Sequence, residues 1–310
     1  MTVFSEYTFP SSDGKHQIHV CRWMPEGETK AVLQIAHGVA EYAKRYDAFA
    51  RFLTEHGFTV VANDHLGHGE SVADESELGW FAEKDGWTLV VDDMKKLHDL
   101  TAAGFPGKPY FLLGHSMGSF LTRSYLIRYP DDLTGCIISG TGTTPNLICS
   151  IASMMAGSEI KKHGSKYKSE KLDKMAFGKY NDGFDTHRTK VDWLSRDPEV
   201  VDRYIADPLC GFMSSAGLFR DMMGGVKFNQ SPANLARMNK DLPVYFMSGA
   251  CDPVGSNGTG VQKAYEAFLK AGMKNVSIKL YPGGRHEMLN ETCKEEVYLD
   301  VLAWLEGKIR

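Results

Sequence analysis

No stretch of this 310-residue chain approaches the ~18 consecutive apolar residues of a membrane-spanning helix. The first residues, Met1-Thr2-Val3-Phe4-Ser5-Glu6, also lack a cationic stretch leading into an apolar one. The expectation is a soluble, cytoplasmic protein. Paired cysteine motifs are missing too. Cys21, Cys136, Cys149, Cys210, Cys251 and Cys293 never fall into C-x-x-C spacing, which points to reduced, buried thiols rather than a disulfide framework or a zinc site. Positive charge is not in excess: a formal net charge of -4 argues against a nucleic-acid partner, because phosphate binding needs a clustered cationic surface. Repeats and low-complexity linkers are also lacking. Hydrophobic residues at 43% and charged residues at 24% then place the chain among ordinary globular proteins, neither disordered nor fibrous.

What the chain does contain is an alternation of strand and helix patterns. Two antiparallel strands are expected at 6–9 and 16–23, joined by the turn residues Ser11-Ser12-Asp13-Gly14. A buried strand at 31–36 follows, then a helix through Tyr46, Phe49, Phe52 and Leu53. Strands at 58–62, 110–113 and 134–138 alternate with helices at 88–100 and 119–128, and the pattern resumes with strands at 244–247 and 276–281 and helices at 260–271 and 295–305. Such alternation implies parallel βαβ units with right-handed crossovers. The fold class is therefore α/β, with a mostly parallel central sheet flanked by helices.

Between Gly142 and Asp241 the alternation lapses into short helical pieces rich in Met, Lys and Gly. The expected organisation is a core made of residues 1–142 and 235–310 and an inserted helical cap at 143–234. Leu147, Ile148, Ile151, Met154 and Met155 share one helical face, and Phe212, Phe219 and Met223 another. Packing onto the core is the favoured role for most of them, with some left to line an acyl pocket. Lys161, Lys162, Lys166, Lys168, Lys171 and Lys174, interrupted by Glu170 and Asp173, read as a solvated face.

Gly114-His115-Ser116-Met117-Gly118 lies between an apolar strand and a helix, the context required of a G-x-S-x-G nucleophile elbow. The turn must be tight, so Gly114 and Gly118 supply positions without bulk, and Ser116 is held above the sheet edge at a helix amino end. A serine hydroxyl is a weak nucleophile and needs an oriented base. In this α/β-hydrolase arrangement the chain order is serine, acid, histidine, each on a loop after a strand. Asp252 follows the strand at 244–247, and His286, alone among the eleven histidines in lying beyond the acid, follows the strand at 276–281. Asp241 precedes its strand and falls at the wrong end of the sheet. The backbone N–H groups of Val39 and Met117 are the expected oxyanion donors, with His37-Gly38 permitting the turn. Asp64-His65-Leu66-Gly67-His68-Gly69 imitates a metal motif, but H-x-x-H in a glycine loop lacks a third ligand. It reads as a structural floor beneath the site, and neither metal nor cofactor is expected.

These segments, His37-Gly38-Val39-Ala40-Glu41-Tyr42 with Arg45-Tyr46, Asp64 to Ser71, Gly114 to Ser119 and Tyr281-Pro282-Gly283-Gly284-Arg285-His286-Glu287, resemble the monoacylglycerol lipase and lysophospholipase-like branch of the α/β-hydrolases. That branch is grouped with serine aminopeptidase-like hydrolases, so the label alone does not fix the bond cleaved. The resemblance implies a serine ester hydrolase acting on a single-acyl lipid beneath a helical cap. A small acyl ester is the expected partner, with transient contact between the cap and a lipid surface; the oligomeric state is left open. An aminopeptidase would need acids in the cap to hold an ammonium group, and Glu159, Asp182 and Asp185 are available. A ligand-binding scaffold without turnover is a further alternative, against which the complete triad argues.

Overall fold

The structure is a computed structural model and describes residues 1–185 and 187–309. Its sheet holds eight strands among the described residues: β1 (Thr2–Pro10), β2 (Gln17–Pro25), β3 (Ala31–Ala36), β4 (Phe58–Asn63), β5 (Tyr110–His115), β6 (Gly135–Ser139), β7 (Val244–Gly249) and β8 (Val276–Tyr281). Their spatial order is β1-β2-β4-β3-β5-β6-β7-β8. β2 runs antiparallel to both its neighbours, and from β4 to β8 every pairing is parallel. β3 to β7 are buried along their whole lengths, as parallel strands covered on both faces must be.

Strand alternation divides the core between the two faces of the sheet. Leu33 and Ile35 of β3 join Phe111 and Leu113 of β5 in one cluster, covered by α1 (Asp47–Glu55) and α10 (Lys294–Ile309). Val32 and Ala36 point the other way, into a cluster closed by α2 (Gly86–Gly104) and α3 (Met117–Arg128). α9 (Thr259–Lys270) packs beside β7 and β8. The start and end of each core element lie within a few residues of the sequence expectation.

Between β6 and β7 no described residue joins the sheet. This cap holds α4 (Asn146–His163), α5 (Glu170–Phe177), α6 (Pro198–Ala206), α7 (Ala216–Asn229) and the short α8 (Pro232–Leu235). Local capping explains several of its helix starts: Ser169 accepts from Leu172 N–H, Asp197 from Glu199 N–H with Pro198 in the first turn, and Ser215 from Leu218 N–H.

Two expectations for the cap are overturned. Most of the stripe on α4 does not pack inward: Leu147, Ile151 and Met154 are 71%, 41% and 69% exposed, Ile148, 51% exposed, lines a cavity, and Met155 packs against the core. α4 instead buries Cys149, Ala152 and Ala156 and lies along α7. Small side chains at i, i+3 and i+7 let two helix backbones approach closely, and that contact takes the place of the expected apolar one. Phe212 also lies before α7 begins, so it shares no helical face with Phe219 and Met223, although all three line one cavity.

Candidate active site

Ser116 stands between β5 and α3 with φ 54° and ψ -120°, a left-handed backbone that a non-glycine residue adopts only under constraint. Its N–H donates to Ser139 O at 3.0 Å, and its carbonyl accepts from Ser119 N–H and the Ser119 hydroxyl. The flanking glycines are needed for space rather than for φ. A methyl group on Gly114 would collide with Thr122 and the Gly118 carbonyl, and one on Gly118 with the carbonyls of Ala36 and His37. The turn is thus wedged between β3 and α3, and the first N–H groups of α3, Met117 among them, face away from any intrahelical acceptor.

At the carboxyl ends of β7 and β8 the acid and the histidine meet. His286 Nδ1 lies 2.9 Å from Asp252 Oδ2; a carboxylate only accepts, so the ring proton sits on Nδ1 and Nε2 keeps its lone pair. Asp252 is fully buried and also accepts from Ser248 Oγ at 3.1 Å and Val254 N–H at 2.9 Å. Burial disfavours the charged form of His286, but the Asp252 carboxylate, with Glu287 and Glu41 behind it, outweighs burial and raises its pKa above the ordinary value. The neighbouring His115 behaves oppositely: burial and the nearby His286 push it down to about 4, so a neutral ring lies 4.6 Å from that of His286. Gly140, at φ 58°, makes room, since a methyl group there would sit 3.0 Å from both rings.

The loop after β3 is fixed by a buried ion network that sequence reading did not find. Glu41 accepts from Gly38 N–H at 2.6 Å, from Tyr46 at 2.9 Å and from Arg45 at 2.7 Å. Arg45 makes a bidentate pair with Glu287 at 2.8 Å, so one guanidinium joins the loop after β3 to the residue beside His286. Burial works against the charge on Glu41, yet Arg45, helped by the Gly38 N–H, holds its carboxyl well below the usual carboxylate range. Gly38 N–H is committed to Glu41, and the next residue, Val39, lines the cavity. Gly38 also stands so close to Ser116 that an added methyl would come within 3.1 Å of the serine Cβ. Ala40 completes the turn at φ 54°.

Beneath this loop the rings of His37, His65 and His68 cluster at a tilt, with His37 4.2 Å from His65 and 5.3 Å from His68. Burial keeps all three neutral, pushing His68 down to about 3. His37 Nε2 accepts from His65 N–H at 2.9 Å, and Asp64 turns away from the cluster to His19.

A cavity of about 1000 Å3 opens above Ser116 and His286 and also reaches Val39 and Met117. One wall is apolar, formed by Phe120, Ile148, Ala152, Phe219, Met222 and Val226. The other carries Tyr180, Asn181, Thr189, Lys190 and Trp193. Trp193 was not foreseen; its ring lies 5.0 Å from that of His286, and the carbonyls of Trp193 and Leu194 accept from His286 and Glu287 N–H. Glu159, Asp182 and Asp185 do not line the cavity, whereas Glu170 and Asp173 do. Among the described residues no helix is long and apolar enough to cross a membrane.

This arrangement, an oriented imidazole and a strained serine opening on one largely apolar chamber, is suited to acyl transfer. Comparison with known proteins agrees. The chain is 29% identical to a monoacylglycerol lipase of Mycolicibacterium smegmatis, over 97% of this chain and 96% of that protein. It is 26% identical to the monoglyceride lipase of Mus musculus, over 96% and 89%. Among solved structures it is similar to a thermostable carboxyl esterase from Bacillus coagulans in complex with glycerol, with TM-score 0.92, 27% identity and 99% of each chain covered. The model of the family described as "Serine aminopeptidase, S33" matches residues 27–293, and to that family of α/β-hydrolases this chain belongs.

Proposed function

We propose that this serine ester hydrolase cleaves monoacylglycerols, lysophospholipids or similar single-acyl esters through an acyl-Ser116 intermediate. The observation that carries the reading is the His286–Asp252 contact, which leaves His286 Nε2 free in the chamber that Ser116 also lines. His286 takes the Ser116 proton as Oγ bonds to the ester carbonyl carbon, and the N–H groups of Val39 and Met117 hold the resulting oxyanion, each worth ~3 kcal/mol of barrier. Collapse expels the alcohol, which leaves with the proton carried by His286. Water, deprotonated by the same ring, then releases the carboxylic acid and restores Ser116.

The cap, taken as residues 143–234, supplies the apolar wall for the acyl chain. Ile148 belongs both to that wall and to the exposed strip of α4, and Lys161 and Lys162 stand at the same helix's end. An exposed apolar strip that meets the cavity at Ile148 and ends in cations fits transient contact with an anionic lipid surface, from which an acyl chain can slide inward. The similarity to monoacylglycerol lipases and to a carboxyl esterase supports an ester rather than a peptide substrate.

Turnover of monoacylglycerol by wild type and Ser116→Ala tests the reading. The variant is expected to lose about 10^5-fold or more in kcat and to escape labelling by a fluorophosphonate. Unchanged turnover in the variant, or aminoacyl anilides cleaved faster than acyl esters by the wild type, would sink it.

A further inference from the structure

At the β1–β2 edge of the sheet, two paired strands bring unlike metal-binding side chains to one point. His19 and Cys21, two residues apart on β2, project to the same face, and Glu6 on β1 is paired directly opposite Cys21. The ligating atoms of Glu6, His19 and Cys21 all lie within 4.8 Å of one another. His19 Nε2 is 3.7 Å from Glu6 Oε1 and 3.8 Å from Glu70 Oε2, and Cys21 Sγ is 3.9 Å from Glu6 Oε1. The two nitrogen–oxygen separations are too long for hydrogen bonds. All three come within a few tenths of an ångström of the edges of a tetrahedron, about 3.3–3.8 Å, built on metal–ligand bonds of about 2.0–2.3 Å.

We infer that Glu6, His19 and Cys21 form a binding site for one zinc ion, with the exposed Glu70, 3.8 Å from His19 Nε2, closing on it as a fourth ligand. His19 Nδ1 is held 2.9 Å from Oδ2 of Asp64, which is itself fixed by the N–H groups of Ala43 and Glu70, so the ring presents Nε2 to the cluster. A buried carboxylate on the far nitrogen is how zinc-binding imidazoles are oriented. Imidazole, thiolate and carboxylate together suit zinc better than calcium or magnesium, which take oxygen ligands.

Glu6 and Glu70 are 37% and 68% exposed at their side chains and give the ion a route from solvent to the buried thiol. Zinc is bound by the thiolate, so binding releases the Cys21 proton to solvent. Lys44, whose ammonium is 3.2 Å from Glu6 Oε1 and whose side chain is half exposed, gives way to the ion. The bound zinc would tie β1 and β2 to the segment 64–71 and, through Asp64, to Ala43 behind the loop that follows β3. Its ligands come from three segments, so no sequence spacing announces it.

Reduced, chelator-treated full-length protein titrated with Zn2+ in a calorimeter tests the site, with Co2+ absorption as a second readout. Wild type is expected to bind one Zn2+ per chain and to show a thiolate-to-cobalt charge-transfer band. Cys21→Ser is expected to lose the band, and Glu6→Gln, at a half-exposed side chain, to weaken zinc binding about tenfold or more while keeping metal-free ester hydrolysis unchanged. Cys251→Ser is expected to keep both signals. Absence of binding in the wild type, or a band that persists in Cys21→Ser and vanishes in Cys251→Ser, would overturn the inference.

Discussion

The loops at the carboxyl ends of the strands and the cap above them enclose the same cavity, yet different forces hold them. Below, the residues around Ser116 and His286 are fixed by directional contacts: a strained elbow, a histidine on a buried carboxylate, and the Glu41–Arg45–Glu287 network. Above, the cap rests on apolar packing, with Leu218, Phe219 and Met222 of α7 in the core and small residues between α4 and α7, and leaves a row of large apolar side chains in water. The contrast separates reaction from recognition. Chemistry needs atoms placed to a fraction of an ångström, while an acyl chain needs apolar surface without a fixed shape.

Asp252→Asn is the sharpest way to break the lower half. With the orienting carboxylate gone the imidazole loses its tautomer, and kcat is expected to fall about 10^4-fold with little change in KM. Steady-state kinetics on a soluble ester read this directly. Arg45→Met tests whether the ion network belongs to the same rigid half. It leaves two carboxylates buried without their cation, so a urea melt should show about 3–5 kcal/mol of lost stability. The catalytic rate should fall as well, because the loops carrying Val39 and His286 are then untied.

Smaller effects sharpen the comparison. Only neutral His286 can act as base, so kcat/KM should rise with pH through a midpoint above the ordinary imidazole value of about 6.5. Glu287→Gln removes one of the negative charges that raise this pKa, and the midpoint should move down. For the cap, Leu147→Ser with Met154→Ser should raise KM on anionic vesicles roughly thirtyfold, at about 1 kcal/mol per partly inserted side chain, and leave a soluble short-chain ester untouched. Equal effects on both substrates would show that the strip on α4 shapes the cavity rather than a surface contact.

The elbow glycines, the order of serine, acid and histidine, and the alternation of strands and helices could be read along the chain, because each depends on neighbours a few residues apart or on a fixed strand-to-loop sequence. On α4 the periodicity pointed to Leu147, Ile151 and Met154 as the packing face, whereas the helix buries Cys149, Ala152 and Ala156. Periodicity says that a face exists and not what covers it.

Sequence by itself determined the α/β alternation, the tight turn at Ser116 and the candidates that could serve it, since backbone sterics and strand order are local or serial constraints. Only the tertiary structure decided that Arg45 reaches Glu287 across 242 positions, that Trp193 lies against His286, and which side of α4 meets water. Those are choices among partners distant in the chain, settled by the geometry of packing and by the need of each buried charge to find its opposite.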